Sequence, residues 1–192
     1  MATKNIMIVG VGGQGSLLAS RILGNAVLLS GYDVKVSEVH GMSQRGGSVV
    51  TYVKYGDKVA SPVICKGEAD IIMSFELLEA ARWLPFLKKD GVVITNTQQI
   101  NPMPVVTGAA EYPAELVSKM KAAGANVIAA DALAIAREAG SEKAVNVALI
   151  GLMANALGFD TGILHEAIRM SVPEKFLELN MKAFALGAAH KA

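Results

Sequence analysis

The sequence predicts an α/β domain of three layers, α/β/α, built on a mixed but mainly parallel sheet with a Rossmann-like start, an antiparallel hairpin and a helical C-terminal part. Three observations predict it. Apolar runs of strand length alternate with longer stretches of helical spacing. One strand-like run follows its predecessor too closely for a parallel crossover. From Asp131 onward every apolar pattern is helical.

Ile6–Val9 reads as the first strand, and Leu18, Ile22, Ala26 and Leu29, spaced 4, 4 and 3, mark the buried stripe of the helix that follows. Val34–Val39 is the second strand. The next strand-like run starts at Ser48, so only the eight residues His40 to Gly47, three of them glycines, are left for the connection. A parallel crossover takes about a dozen or more. Val49, Thr51, Val53 and Tyr55 alternate at period two, then come Gly56-Asp57-Lys58 and Val59 to Ser61, which predicts an antiparallel hairpin closed by a glycine-containing turn. Ile71–Phe75, Val92–Thr95 and Val127–Ala130 complete the strands, and Asn96 to Pro113 reads as loop. Ser141 is positioned to cap a helix through Leu157 that Gly158 ends. A helix over Ile163 to Met170 follows. Ser171 and Glu174 have capping-box spacing around Pro173, which predicts a last helix through about Leu186 with the stripe Phe176, Leu179, Ala183 and Leu186. The chain is read as a single domain over 1–192, helical from about 131.

Composition narrows the function classes. The chain has 192 residues, 18 Lys plus Arg and 17 Asp plus Glu, for a formal charge of +1, so no nucleic-acid footprint is expected. Ala144 to Leu157 is interrupted by Asn146 and Asn155 and falls short of the roughly 18 apolar residues of a membrane span. With no secretory h-region at the start, the expectation is a soluble, cytoplasmic protein without membrane contact. The hydrophobic share is 52%, mean hydropathy is +0.40 and charged residues make up 18%, against about 25% in an ordinary domain. This predicts that some aliphatic surface meets another protein. Ala144–Leu157, apolar almost all round, is a segment that either the chain's own layers or a partner must cover. Cys65 is the single cysteine; it reads as a small buried hydrophobe, and it cannot build a disulfide, cluster or cysteine zinc site within this chain. His40, His165 and His190 are scattered, so no metal site is predicted.

Two segments concentrate chemistry. Gly10-Val11-Gly12-Gly13-Gln14-Gly15 matches GxGxxG between a strand and a helix, where glycines let the backbone approach a phosphate at a helix N-terminus. Glu38 lies 23 residues after Gly15, where a ribose-binding acid would stand. Alone, this pattern says NAD or FAD, or a tight turn that binds nothing; the missing crossover helix after the second strand disfavours the dinucleotide. The second segment is Glu38-Val39-His40-Gly41-Met42-Ser43-Gln44-Arg45-Gly46-Gly47. Arg45 offers a planar fork for carboxylate or phosphate, and His40 can titrate near neutrality. A polar loop leaving a strand's carboxyl end lies where α/β sheets place ligands, although the same residues also suit a hydrogen-bonded turn with Arg45 paired to Glu38. Phe75-Glu76 and Asn96-Thr97 follow strands and read equally as crevice borders or as helix caps and turns.

Gly12-Gly13-Gln14-Gly15, Glu38-Val39-His40-Gly41-Met42 and Gln44-Arg45-Gly46-Gly47, with Ala69-Asp70, Phe75-Glu76-Leu77-Leu78-Glu79-Ala80 and Asn96-Thr97, together resemble the gamma-type subunit of 2-oxoacid:ferredoxin oxidoreductases, most of all the small (beta) subunit of the indolepyruvate branch. The resemblance covers most of the chain. It implies an accessory subunit of an enzyme that oxidatively decarboxylates aryl 2-oxoacids to aryl-acetyl-CoA, carbon dioxide and reduced ferredoxin. It also implies that thiamine diphosphate, Mg and the [4Fe-4S] clusters sit on a larger partner subunit, because this chain lacks the cysteines and has no GDG motif with a downstream Asn. Coenzyme A is then a co-substrate, ferredoxin the electron acceptor, and the chain is inactive alone. In that setting Gly10, Gly12, Gly13, Gln14, Gly15, Gly46 and Gly47 are the candidate cofactor-contacting wall, and His40, Gln44 and Arg45 the candidate supporting catalytic residues. A free-standing NAD- or FAD-dependent oxidoreductase and a non-catalytic interaction subunit are the competing readings.

Overall fold

A computed structural model describes residues 1–40 and 47–190. Ile6, Met7, Ile8 and Val9 are apolar on both sides of the pleat, so their strand must lie in a sheet covered on both faces. β1 (Lys4–Val11) does so, with these four residues at most 1% exposed. α1 (Ser16–Leu29) leads to β2 (Asp33–His40), and β3 (Ser48–Gly56) returns between β2 and β1. Then come β4 (Ala69–Ser74), α2 (Leu77–Trp83), β5 (Leu87–Asn96), the short α3 (Met103–Val106), α4 (Leu116–Ala122) and β6 (Asn126–Ala130). The sheet order is β2-β3-β1-β4-β5-β6. β3 is antiparallel to both neighbours, while β1, β4, β5 and β6 pair in parallel.

The mixed three-layer sheet is as the sequence predicts, but the hairpin partner differs. Val59 to Ser61 forms no strand; β3 reverses out of β2 itself, with Val36 opposite Val53 and His40 opposite Val49. The 57–68 segment lies over the sheet instead. Val59 and Ile64 are buried and the Val59 N–H donates to Asp33 Oδ2 at 2.9 Å. Cys65, next to Ile64, faces solvent and is not the buried residue expected, since Ile64 takes the inward position.

The C-terminal part is helical: α5 (Ala132–Ala139), α6 (Val145–Leu157), α7 (Thr161–Ser171) and α8 (Leu177–Ala189). With α1 they cover one face, over Ile6, Ile8, Met73 and Ile94; α2, α4 and Ile64 cover the other, over Met7, Val9, Ile72 and Val93. Ser141 caps a short 3-10 turn, Glu142–Ala144, from which α6 continues, and Gly158 ends α6 at φ 68. The apolar α6 is covered by the chain's own α8. A Cβ on Gly151 would lie 2.3 Å from the Phe184 carbonyl oxygen, and one on Gly187 2.2 Å from that of Ala148, so the two helices cross backbone to backbone.

That crossing sets the rotation of α8. Asn180, Ala183, Phe184 and Gly187 turn inward, whereas the expected stripe began at Phe176, which is 48% exposed. Ser171 does not cap α8 either. It closes α7, its hydroxyl donating to the Ala167 carbonyl at 2.7 Å and accepting from Asn25 Nδ2 at 2.9 Å. Among the described residues no helix is long and apolar enough to cross a membrane.

Candidate functional site at the carboxyl ends of β1 and β4

The glycine turn follows β1. Gly13 and Gly15 hold left-handed backbone at φ 96 and 91, a region that costs L side chains free energy. Gly10 is required by space, since a Cβ there would lie 2.7 Å from Gln14 Oε1 and 3.0 Å from Phe75 Cβ. Gln14 spans the turn: its Oε1 accepts from the Val11 N–H at 2.7 Å and its Nε2 donates to the Phe75 carbonyl at 3.3 Å. α1 starts at Ser16 without a side-chain cap, so its first N–H groups face the turn's surroundings with the positive end of the helix dipole.

The turn meets the second motif at one point. The Gly12 N–H donates to the Gly47 carbonyl at 3.0 Å. His40 ends β2 and is exposed at the same rim. Gln44, Arg45 and Gly46 lie outside the described residues.

Two hollows flank the turn. One, of about 390 Å³, is bounded by Gly12, Gly13, Leu17, Glu38, His40 and Val49. Glu38 Oε2 accepts from Ser16 Oγ at 2.9 Å and from Thr51 Oγ1 at 3.0 Å. In a dinucleotide half-site the second strand lies beside the first. Here β3 occupies that place, which sets β2 about 10 Å from β1, and the Glu38 carboxylate is committed to two hydroxyls. The dinucleotide reading is therefore not favoured.

The other hollow, of about 450 Å³, is bounded by Gly13, Gln14, Phe75, Gln98, Leu133 and Lys143. It lies where the chain leaving β1 turns to one side through α1 and the chain leaving β4 turns to the other through α2. Open α/β sheets bind ligands at such a switch point.

Polar residues outside the two glycine motifs support the turn. Asn146, buried at the start of α6, donates from Nδ2 to the Gly15 carbonyl at 3.4 Å and accepts on Oδ1 from the Val147 N–H at 2.9 Å. Glu79, also buried, accepts from the Ser48 hydroxyl and from Arg82 Nε. Glu76 caps α2 by accepting from the Glu79 N–H at 2.8 Å, and it takes the Ile100 N–H at 3.1 Å and the Tyr112 hydroxyl. Burial, reinforced by that bond to Glu76, pushes the Tyr112 phenol well above its usual range. Asn96 accepts from the Ala132 N–H at 3.1 Å and donates to the Phe75 carbonyl at 3.2 Å. Glu76 and Asn96 thus serve as cap and turn, with no oxygen or amide given to an open crevice.

The profile of the family described as pyruvate ferredoxin/flavodoxin oxidoreductase matches residues 5–190. Indolepyruvate oxidoreductase subunit IorB of Pyrococcus horikoshii is 47% identical over 192 aligned residues, covering 97% of this chain and 95% of that protein. The IorB subunit of Archaeoglobus fulgidus is 42% identical, over 95% of this chain and 92% of its own. Among solved structures, the gamma subunit of a keto/oxoacid ferredoxin oxidoreductase from Geobacter sulfurreducens shares the fold at a TM-score of 0.72 and 24% identity, covering 96% of this chain and 95% of its own.

Proposed function

The chain belongs to the pyruvate ferredoxin/flavodoxin oxidoreductase family, and from that premise we propose that it is the small, accessory subunit of an indolepyruvate:ferredoxin oxidoreductase. The whole of 1–192 is one gamma-type unit acting in the cytoplasm. The overall reaction removes the carboxylate of an aryl 2-oxoacid as carbon dioxide. The remaining acyl carbon is oxidised to a thioester on the coenzyme A thiol, and two electrons pass to ferredoxin.

That chemistry calls on thiamine diphosphate with Mg and on [4Fe-4S] clusters, which supply the carbanion stabilisation and the electron path. This chain's residues do not fit them. Its single cysteine is exposed on the 57–68 segment, and no group of three metal-ligating side chains occurs among the described residues. We assign those groups to a larger partner subunit.

This chain's contribution is a wall. The observation that carries the reading is the Gly12 to Gly47 bond, which joins two motifs far apart in sequence at the carboxyl end of β1, on its β3 side. The glycine turn offers backbone N–H groups and a helix N-terminus to an anionic group. In the proposal Arg45 contacts the carboxylate of the 2-oxoacid or a phosphate of coenzyme A, with His40 and Gln44 as its polar neighbours. Anaerobic purification through a tag on this chain tests the reading. The expected outcome is a brown, co-purifying larger subunit and indolepyruvate-dependent dye reduction. A colourless chain that alone binds nicotinamide tightly would overturn it.

A further inference from the structure

A third hollow, of about 380 Å³, opens at the opposite end of the sheet, at the amino ends of β1, β4 and β5. An irregularity in β5 makes it. Ala69 pairs with Leu87 and Ile71 with Val92, two steps along β4 against five along β5. The surplus residues swing outward. Asp90 adopts left-handed backbone at φ 67, and Gly91 is so enclosed that a Cβ would stand 3.0 Å from the carbonyl oxygens of Ala69 and Lys88. Bulges and strained non-glycine residues of this kind gather beside sites, because pairing alone does not call for them.

Tyr55 forms part of the hollow's lining and is only 2% exposed. Its ring packs on Phe159 at 5.6 Å between centroids. Its hydroxyl makes no hydrogen bond among the described residues, and burial, with the nearby Asp70 carboxylate, pushes the phenol up to about 12. The fully enclosed polar atoms without a partner among the described residues are Asn5 Oδ1 and Trp83 Nε1; the Tyr55 oxygen is not one of them, and as part of the lining it presents a neutral O–H to the hollow. At the rim, Lys88 Nζ lies 3.1 Å and Lys4 Nζ 3.7 Å from the same Asp70 oxygen. Two ammonium groups thus share one carboxylate. With Lys89 and Asp90 added, the rim holds three lysines and two aspartates, one positive charge in excess.

We propose that this hollow is a binding site for a small organic carboxylate, whose oxygens take the Tyr55 O–H and a rim ammonium while its apolar body rests on Ile6, Ile71 and Leu157. Its volume is near the lower end for small-molecule pockets. One excess charge suits a monoanion, and the two aspartates oppose a dianion such as phosphate. The site lies away from the glycine turn and does not depend on the proposed wall.

Titration of the full-length chain with phenylacetate, followed by calorimetry and by methyl NMR, tests this directly. Saturable binding is expected, with shifts at Ile6, Ile71 and Leu157. Tyr55→Phe, which deletes only the hydroxyl, should weaken binding about tenfold, and Lys88→Met should weaken it as well. Phenylacetamide and inorganic phosphate should not compete. Undiminished binding by Tyr55→Phe, or shifts confined to the Gly13 and Val49 end of the sheet, would overturn the site. Lys88→Met removes a half-exposed rim ammonium and leaves Lys4 beside Asp70, so undiminished binding by this variant overturns the site independently should Tyr55→Phe disturb folding.

Discussion

Ser48 donates its hydroxyl to the buried Glu79, tying the first residue of β3 to the middle of α2. The same carboxylate accepts from Arg82 Nε at 2.9 Å and is 5% exposed. Ser48 stands opposite Val11 in the ladder and directly follows Gly47, whose carbonyl receives the Gly12 N–H. A helix on one face of the sheet thereby fixes the strand that delivers the second glycine motif to the first. Ser48→Ala leaves a buried carboxylate oxygen short of a donor, which costs about 1–3 kcal/mol. The urea midpoint should fall by that amount at unchanged slope, and Ser48→Ala combined with Glu79→Gln should be less than additive.

Gly151 and Gly13 are both glycines for different reasons, and alanine separates them. At Gly151 the added carbon meets the Phe184 carbonyl oxygen at 2.3 Å. Gly151→Ala should cost about 3 kcal/mol and lower the melting temperature by roughly 6–12 °C. Nothing lies within 4 Å of the carbon that Gly13→Ala would add, so only the left-handed backbone opposes it, at about 1–2 kcal/mol. Equal melting shifts for the two variants would contradict the backbone crossing of α6 and α8.

Arg45→Ala in the reconstituted complex should raise KM for the 2-oxoacid or for coenzyme A by about tenfold or more, the loss of one charge-assisted contact. His40→Ala should do less. Unchanged kinetics for both substrates would remove Arg45 from the site.

Alkaline stability should carry a signature of Tyr55. Its phenol is pushed up to about 12 from 10.0. The folded state keeps its proton where the unfolded chain has lost it, so the stabilisation is complete below pH 10 and declines as pH rises through 12. The slope for one group is at most about 1.4 kcal/mol per pH unit. Tyr55→Phe should flatten the stability profile in that window, read from urea midpoints.

Expressed without a partner, the chain should self-associate. α6 is not the cause, since α8 covers it. A cluster of exposed aliphatics lies instead on α1 and the edge strand, at Leu17, Leu28, Val36 and Val39, between 45% and 63% exposed. A monodisperse monomer in sizing would argue against a partner-covered surface there.

The strands at Ile6–Val9, Ile71–Phe75 and Val92–Thr95 were legible because a run apolar on both sides of the pleat has few places to go. The glycine turn was legible because its backbone demands are local. What required the fold were choices among equivalent partners. Val53 could pair forward with 59–61 or backward with Val36, and only the 57–68 segment's attachment through Val59 and Ile64 decides. Ser171 sat at capping distance from Glu174 but found Asn25 across the layer. Asn146, Glu79 and Tyr112 are single polar residues in segments remote from the turn, and nothing in their surroundings announces a distant carbonyl or hydroxyl.

The antiparallel β3 also changes how the rim of the sheet is built. An all-parallel sheet offers its ligand rim only the segments that leave strands. Here a segment arriving at a strand ends there too, and both of its anchors, His40 and Gly47, stand on one edge of the rim. Doubling the length of a connection closed between fixed ends costs only about 0.6 kcal/mol. Added length between those anchors is therefore cheap for the sheet register, so at this rim selectivity and fold stability are set by different residues.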